Sequence, residues 1–277
     1  MQKILIISGT PKLEGLTYSF VRAAEEQAAE SGVTAETIRL TGYGLSKCVM
    51  CDDGWGVCFN EHRCLFGDKD GFSELQIKVR DADAYIFVTP VYWGEISEEM
   101  KIFVDKLRRC EATKQWNSQA GNSFLKGKTS ILVAAAGGGG GGIVPAFADL
   151  ERAIQQWSGD EWPREMSGIF DFIAVNRWNK EYKLDALRAA IRQMIHYATR
   201  PKATKVEALP DYRLLITFDN GERRVLDVKS YLESDPYTAL RDKELFNNVK
   251  LAGLIAEWRP RLDMGLDILY NESKPYN

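Results

Sequence analysis

Four cysteines, Cys48, Cys51, Cys58 and Cys64, fall within residues 48–64 at the spacing C-x2-C-x6-C-x5-C. Asp52-Asp53-Gly54-Trp55-Gly56-Val57 separates the second from the third. Thiolate sulfur is a nucleophile and a soft metal ligand. In a reducing compartment, thiols at this density point to a metal, cluster or redox site rather than a disulfide framework. Packed free thiols are the other reading. Cys110 stands alone on a predicted helix and reads as a packing residue.

Three further segments carry chemistry of another kind. The first is Ser8-Gly9-Thr10-Pro11-Lys12-Leu13-Glu14-Gly15-Leu16-Thr17. An apolar run, then glycines and hydroxyls, then a helix start make an anion site, because free N–H groups and the helix dipole both favour a phosphate. Ser8, Thr10 and Thr17 add hydroxyl donors, and Lys12 is optional. The alternative is a plain strand-to-helix turn with Thr17 as N-cap. The second segment is Thr89-Pro90-Val91-Tyr92-Trp93-Gly94, where adjacent aromatics at a strand end can meet a planar ring or anchor the next helix. The third is the run Gly137–Gly142. Six glycines are costly to order, so close approach of backbone to a flat ligand or a pyrophosphate explains them better than packing does; a flexible loop is the alternative.

These segments need a scaffold, and the hydrophobic pattern supplies one. Lys3–Ser8 reads as a strand buried on both faces. Leu16, Phe20, Ala24 and Ala28 recur at helical spacing up to Gly32, and Val33–Leu40 alternates as a strand. Residues 46–70 show no clear periodicity. Phe72–Val79 predicts a short helix, Ala84–Thr89 a buried strand ending at Pro90, and Ser97–Arg109 a helix with Met100, Phe103, Val104 and Leu107 on one face. Thr129–Ala136 predicts a strand. A helix with a stripe of Val144, Phe147, Leu150, Ile154 and Trp157 follows it. Gly168–Val175 is a fifth strand candidate, and Leu184, Leu187, Ile191, Met194 and Ile195 mark the last helix. Alternating strands and helices predict an α/β doubly wound five-stranded parallel sheet. The three segments then follow strands one, three and four, on the edge where such sheets bind ligands. After Thr199-Arg200-Pro201 the pattern changes. Tyr212–Phe218 and Arg223–Val228 flank Asp219-Asn220-Gly221, a hairpin signal. A helical turn at Glu244–Phe246 and short strands around Val249–Leu251 and Leu254–Trp258 follow. The expected domains are 1–200 and a small α+β domain over 201–277.

The chain has 277 residues, 45% hydrophobic and 27% charged, with formal net charge −3. That is an ordinary globular composition without the basic footprint of a nucleic-acid binder. No apolar run approaches the ~20 residues of a membrane span, and the apolar amino-terminal stretch is too short for a signal sequence. Both point to a cytoplasmic protein without nucleic-acid or membrane partners.

Residues 1–200 resemble the NADPH-dependent FMN reductase and iron–sulfur flavoprotein group of the flavodoxin-like superfamily. The likeness is carried by Ser8-Gly9-Thr10-Pro11 with Gly15 and Thr17, and by Pro90-Val91-Tyr92-Trp93-Gly94 with Met100, Lys101, Phe103 and Asp105 downstream. It implies a flavodoxin-like fold, with Ser8, Thr10, Pro11, Gly15, Leu16 and Thr17 around the FMN phosphate. Pro90, Val91, Tyr92, Trp93, Gly94, Gly137, Gly138 and Gly139 would lie along the ring. Leu16 stands where asparagine is common in the group, and the six-glycine run is longer than the group's usual loop. The resemblance also implies a 4Fe-4S cluster on Cys48, Cys51, Cys58 and Cys64. The group's compact C-x2-C-x2-C departs here, since the third cysteine comes four residues late; zinc on four thiolates and free thiols stay open. Residues 201–277 resemble a small bacterial domain family of unknown function through Pro210-Asp211-Tyr212, Phe218-Asp219-Asn220-Gly221-Glu222, Leu240-Arg241-Asp242, Phe246, Trp258 and Leu269-Tyr270. These positions read as turn, core and cap residues.

The expected activity is hydride transfer from NAD(P)H to FMN and electron transfer to a small acceptor: a quinone, a flavin or a metal ion. The alternatives are a flavin and iron–sulfur electron carrier without its own NAD(P)H site, or a flavin-binding sensor with a carboxy-terminal interaction module. No catalytic acid or base is visible, and His62 and His196 have no motif around them. By analogy with the group, a homodimer or homotetramer is expected.

Overall fold

The computed structural model describes residues 1–54, 56–116, 123–125, 128–158, 169–253 and 255–276, with the side chains of 115–116 and 156–158 outside the description. The chain divides into two compact units, Met1–Ala198 and Thr199–Asn277.

The first unit runs β1 (Lys3–Ser8), α1 (Leu16–Glu30), β2 (Thr34–Arg39), α2 (Val57–Asn60), α3 (Phe72–Arg80), β3 (Ala84–Tyr92), β4 (Glu95–Ile96), α4 (Glu98–Glu111), β5 (Thr129–Ala136), α5 (Ile143–Ser158), β6 (Ile169–Asn176) and α6 (Lys180–Thr199). Five strands form a parallel sheet in the order β2-β1-β3-β5-β6. The order reverses between β1 and β3, which makes that pair the switch point. Both faces are covered. Leu5, Ile7, Phe87, Leu132 and Ala134 pack with α3, α4 and α5 residues such as Phe72, Phe103 and Leu150. Ile4, Ile6, Ile86, Ile131 and Val133 pack with Phe20, Ala24, Leu187 and Ile191 of α1 and α6. Burial on both faces is why the strands read as unbroken apolar runs.

Several boundaries differ from the sequence expectation. The third strand does not end at Pro90: β3 continues to Tyr92, with Pro90 beside Ala135 of β5. On its other side β1 stops at Ser8, opposite Val88, so Pro90 lies past the end of that ladder, where a missing N–H is tolerated. Val144 is 77% exposed rather than part of the α5 stripe. The buried face is Ile143, Ala146, Phe147, Leu150, Ala153 and Ile154, and Val144 is one residue, about 100°, off that line. The side chain of Trp157 and residue Gly168 lie outside the described residues. Gly15, not Thr17, is the N-cap of α1.

In the second unit, β7 (Ala203–Leu209), β8 (Arg213–Phe218), β9 (Arg223–Asp227), α7 (Lys243–Asn247), β10 (Lys250–Ala252), β11 (Ile255–Arg259), β12 (Leu262–Met264), α8 (Leu266–Asn271) and β13 (Lys274–Pro275) follow in order. They form two antiparallel sheets, β13-β9-β8-β7 and β10-β11-β12. The expected hairpin closes at Gly221, with φ +85°. Leu254, taken as the start of a strand, lies outside the described residues; the strand is described from Ile255. The strands β7, β12 and β13 had no clear signal, being short or mixed in polarity. Among the described residues no helix is long and apolar enough to cross a membrane.

Candidate functional site

The three segments converge. Gly9 lies so close to the start of α4 that a Cβ there would stand 2.4 Å from Ser97 Oγ and 3.1 Å from Met100 Cβ. Ser97 caps α4 by accepting from the Met100 N–H. Gly142, at φ +80°, approaches the β3–β4 turn so tightly that its Cβ would fall 2.3 Å from Gly94 Cα. No side chain fits there, and the positive φ disfavours one independently. The loops after β1, β3 and β5 thus meet beside the switch point.

The first loop carries buried hydroxyls ahead of an open helix start. Ser8 and Thr10 are buried, and the Thr10 N–H donates to Ser8 Oγ at 3.4 Å. α1 then opens without a side-chain cap or an acidic residue in its first turn, which leaves its amino-terminal dipole uncompensated. Pro11 and Gly15 are exposed, and Leu16 and Thr17 half-buried.

The second loop is a tight hairpin. Val91 pairs with Ile96 and Tyr92 with Glu95, and the two turn residues, Trp93 and Gly94, have φ +54° and +86°. This is the type I′ sign pattern, favoured by Asn-Gly. A tryptophan held there is strained, and its ring is fully exposed. Tyr92 is 48% exposed, while Pro90 is buried and Val91 half-buried. In the third loop Gly137, Gly138 and Gly139 are exposed. A Cβ on Gly139 would lie 3.5 Å from the ring of Trp178, an aromatic at the β6–α6 turn that the sequence reading missed. Its signal was an isolated Trp two residues after the fifth strand ends at Asn176.

The cysteines form a second locus. Cys48, Cys51, Cys58 and Cys64, all half-buried, line one recess together with Cys110, Lys106 and Arg109 of α4. Its free volume is about 30 Å3. Cys110 therefore faces the other four while packing in the core. Among the described residues no three His, Cys, Asp or Glu side chains are grouped to hold a single metal ion. Such an ion needs sulfurs at about 2.3 Å from one centre; a cluster binds each thiolate to a different iron and needs them farther apart.

One stripe of α4 contributes Lys106, Arg109 and Cys110 to the recess, at i, i+3 and i+4, and Thr113 continues that stripe beyond it at i+7. Lys106 and Asp70 form a buried ion pair. Asp70 Oδ2 also accepts from the Ser46 N–H at 3.0 Å and its hydroxyl at 2.7 Å, and Asp70 Oδ1 accepts from the Phe72 N–H at 3.2 Å. Burial alone would raise the Asp70 carboxyl; the bonds from Lys106, Ser46 and Phe72 outweigh it and hold its pKa below the usual value. Arg109 donates to Gly54 O at 3.2 Å, and Thr113 Oγ1 to Cys58 O at 3.1 Å. His62 Nδ1 lies 3.2 Å from Thr113 Oγ1. Burial pushes the Cys58 thiol up, Cys51 and Cys48 add to the rise, and the Arg109 charge opposes it. Burial also raises Cys110.

A parallel sheet of order 2-1-3-5-6, with an uncapped helix start and two glycine-containing loops at its switch point, defines a doubly wound protein of the flavodoxin-like class. RosB, solved with bound 8-demethyl-8-formylriboflavin-5'-phosphate, shares the fold: TM-score 0.51 at 13% identity, over 71% of this chain and 80% of that one. The chain belongs to the NADPH-dependent FMN reductase family, whose model matches residues 2–150. Residues 203–275 match a protein family of unknown function, DUF2442. An iron-sulfur flavoprotein of Methanocaldococcus jannaschii is 32% identical over 126 residues, 45% of this chain and 62% of that protein. One from Methanosarcina thermophila is 30% identical over 104 residues, 38% of this chain and 51% of that protein. The chain thus spans about half to three-fifths of the length of these relatives.

Proposed function

We propose that this chain is an FMN-dependent oxidoreductase that takes electrons from NAD(P)H and passes them to a small acceptor such as a quinone, a flavin or a metal ion. The observation that carries the reading is the meeting of three loops at the switch point, with Gly142 pressed onto Gly94. Ser8, Thr10, Thr17 and the free amides opening α1 hold the phosphate, with Pro11, Gly15 and Leu16 completing the loop. Pro90, Val91, Tyr92, Trp93, Gly94 and Gly137–Gly139 frame the ring. FMN, when bound, supplies hydride and single-electron chemistry; the chain supplies binding, orientation and electrostatics. No side chain of the site stands out as a proton donor or acceptor. A homodimer or homotetramer belongs to the same reading, since Trp93, Val144 and Trp178 stand exposed at the loop ends.

The four loop cysteines hold a 4Fe-4S cluster in this reading. Four thiols lining one recess over a cationic floor suit a sulfur-ligated anionic group, and two relatives are named iron-sulfur flavoproteins. The 48–64 segment that carries the four thiols has a single helical turn as its regular structure. The same recess favours the second reading, a flavin and iron–sulfur electron carrier without its own NAD(P)H site.

An ultraviolet–visible spectrum of protein purified without oxygen, before and after NADPH, tests both. A flavin spectrum bleached by NADPH supports the reductase. A flavin with broad iron–sulfur absorbance that NADPH leaves oxidised supports the carrier. A colourless protein that FMN cannot reconstitute removes both.

A further inference from the structure

Three cations line the cysteine recess, and two are neutralised. Lys106 is buried in its ion pair with Asp70. Lys47 is 2.6 Å from Glu98 and mostly exposed. Arg109 has no carboxylate partner among the described residues. One of its terminal nitrogens donates to the Gly54 carbonyl, within the insertion that separates Cys51 from Cys58. Its Nε is buried and has no hydrogen-bond acceptor among the described residues. A buried guanidinium N–H left without a partner is costly, and one beside five sulfurs finds its acceptor when an anionic sulfur group fills the recess. Arg109 lines the same recess as Cys48, Cys51, Cys58 and Cys64, which places its charge beside that group.

We propose that Arg109 donates a hydrogen bond from Nε to the group held by Cys48, Cys51, Cys58 and Cys64, and that its uncompensated charge raises the potential at which that group accepts an electron. The inference rests on the cluster reading above. Reduction adds one electron, and so one negative charge, to the group. A fixed cation and a donor stabilise that state more than the oxidised one, as outer-shell partners do at other metal centres. The long spacer between Cys51 and Cys58 is then functional, because Gly54 within it accepts from the guanidinium beside the sulfurs.

The test is a dithionite titration of the whole chain, purified anaerobically, followed by electron paramagnetic resonance, with iron counted in the same samples. In Arg109→Gln the ratio of reduced to oxidised cluster at a fixed potential should fall at least tenfold, about 59 mV for one electron. Arg109→Lys keeps the charge but lacks the Nε donor, and should fall about threefold. Iron-bearing Arg109→Gln with the wild-type ratio overturns the proposal. Should Arg109→Gln lose its iron, Arg109→Lys decides: a lowered ratio supports the proposal and an unchanged one overturns it. Loss of iron from both variants makes Arg109 a scaffold for Gly54 alone and also overturns it. Iron-free wild type removes the cluster reading itself, and this inference with it, an outcome distinct from all the others.

Discussion

Lys106 looks out of place on an apolar helix face, and its position explains a pH dependence. With both partners almost fully buried, removing one leaves an unpaired charge in the interior, at a cost of about 3–5 kcal/mol. Lys106→Met should lower urea stability at pH 7 by that order. Because the folded Asp70 carboxyl titrates below its usual value, the stability that its ionisation contributes is complete above the unfolded pKa of about 3.9. It is lost as pH falls through the lowered folded value. The gap between wild type and Lys106→Met in urea melts should therefore shrink between pH 7 and pH 3; a constant gap would place the effect in packing. At the meeting of the three loops, Gly142→Ala forces a Cβ onto Gly94 Cα. FMN affinity, read by flavin fluorescence quenching, should weaken at least tenfold, about 1.4 kcal/mol. An unchanged affinity would separate the glycine loop from the flavin.

At the scale of elements, the β3–β4 hairpin carries strain that stability alone does not require. A non-glycine residue in left-handed conformation costs about 1–2 kcal/mol, and Asn tolerates it better. Trp93→Asn should hold or raise the thermal midpoint while weakening flavin binding or turnover, the signature of a local rule broken for function. A fall in both would make Trp93 a packing residue. The sequence displayed this hairpin poorly. Pro90 suggests an ending, and Trp-Gly lacks the Asn that marks such turns. The five parallel strands were legible because each is an apolar run bounded by turn residues, as Thr129–Ala136 shows. The convergence of loops was legible only through topology, since Gly9 and Ser97, or Gly94 and Gly142, are distant in sequence. The α4 stripe under the cysteines escaped notice for a different reason. Lys106 and Arg109 resemble the solvated residues of any amphipathic helix until Asp70, Ser46 and Gly54 fold onto them from a stretch without periodicity.

At the scale of the molecule, the two compact units, Met1–Ala198 and Thr199–Asn277, have separate cores, one around a parallel sheet and one around Leu214, Ile216, Phe246, Trp258 and Leu269. Calorimetry should resolve two unfolding transitions. FMN in excess at about a hundred times its Kd should stabilise the first unit by about 2.7 kcal/mol and leave the other transition in place. A single transition, moved whole by FMN, would show the units to be thermodynamically coupled. The α4 helix has a larger consequence. Its N-cap Ser97 touches the phosphate-type loop at Gly9, and Arg109 faces the cysteines. Twelve residues at 1.5 Å each set about 18 Å between them. On the proposed reading the helix is a ruler: within one chain a rigid rod sets the spacing between the flavin's phosphate loop and the cysteine recess. A cofactor seated by that loop is thereby anchored at a fixed distance from the cysteines, whatever the 48–64 segment does.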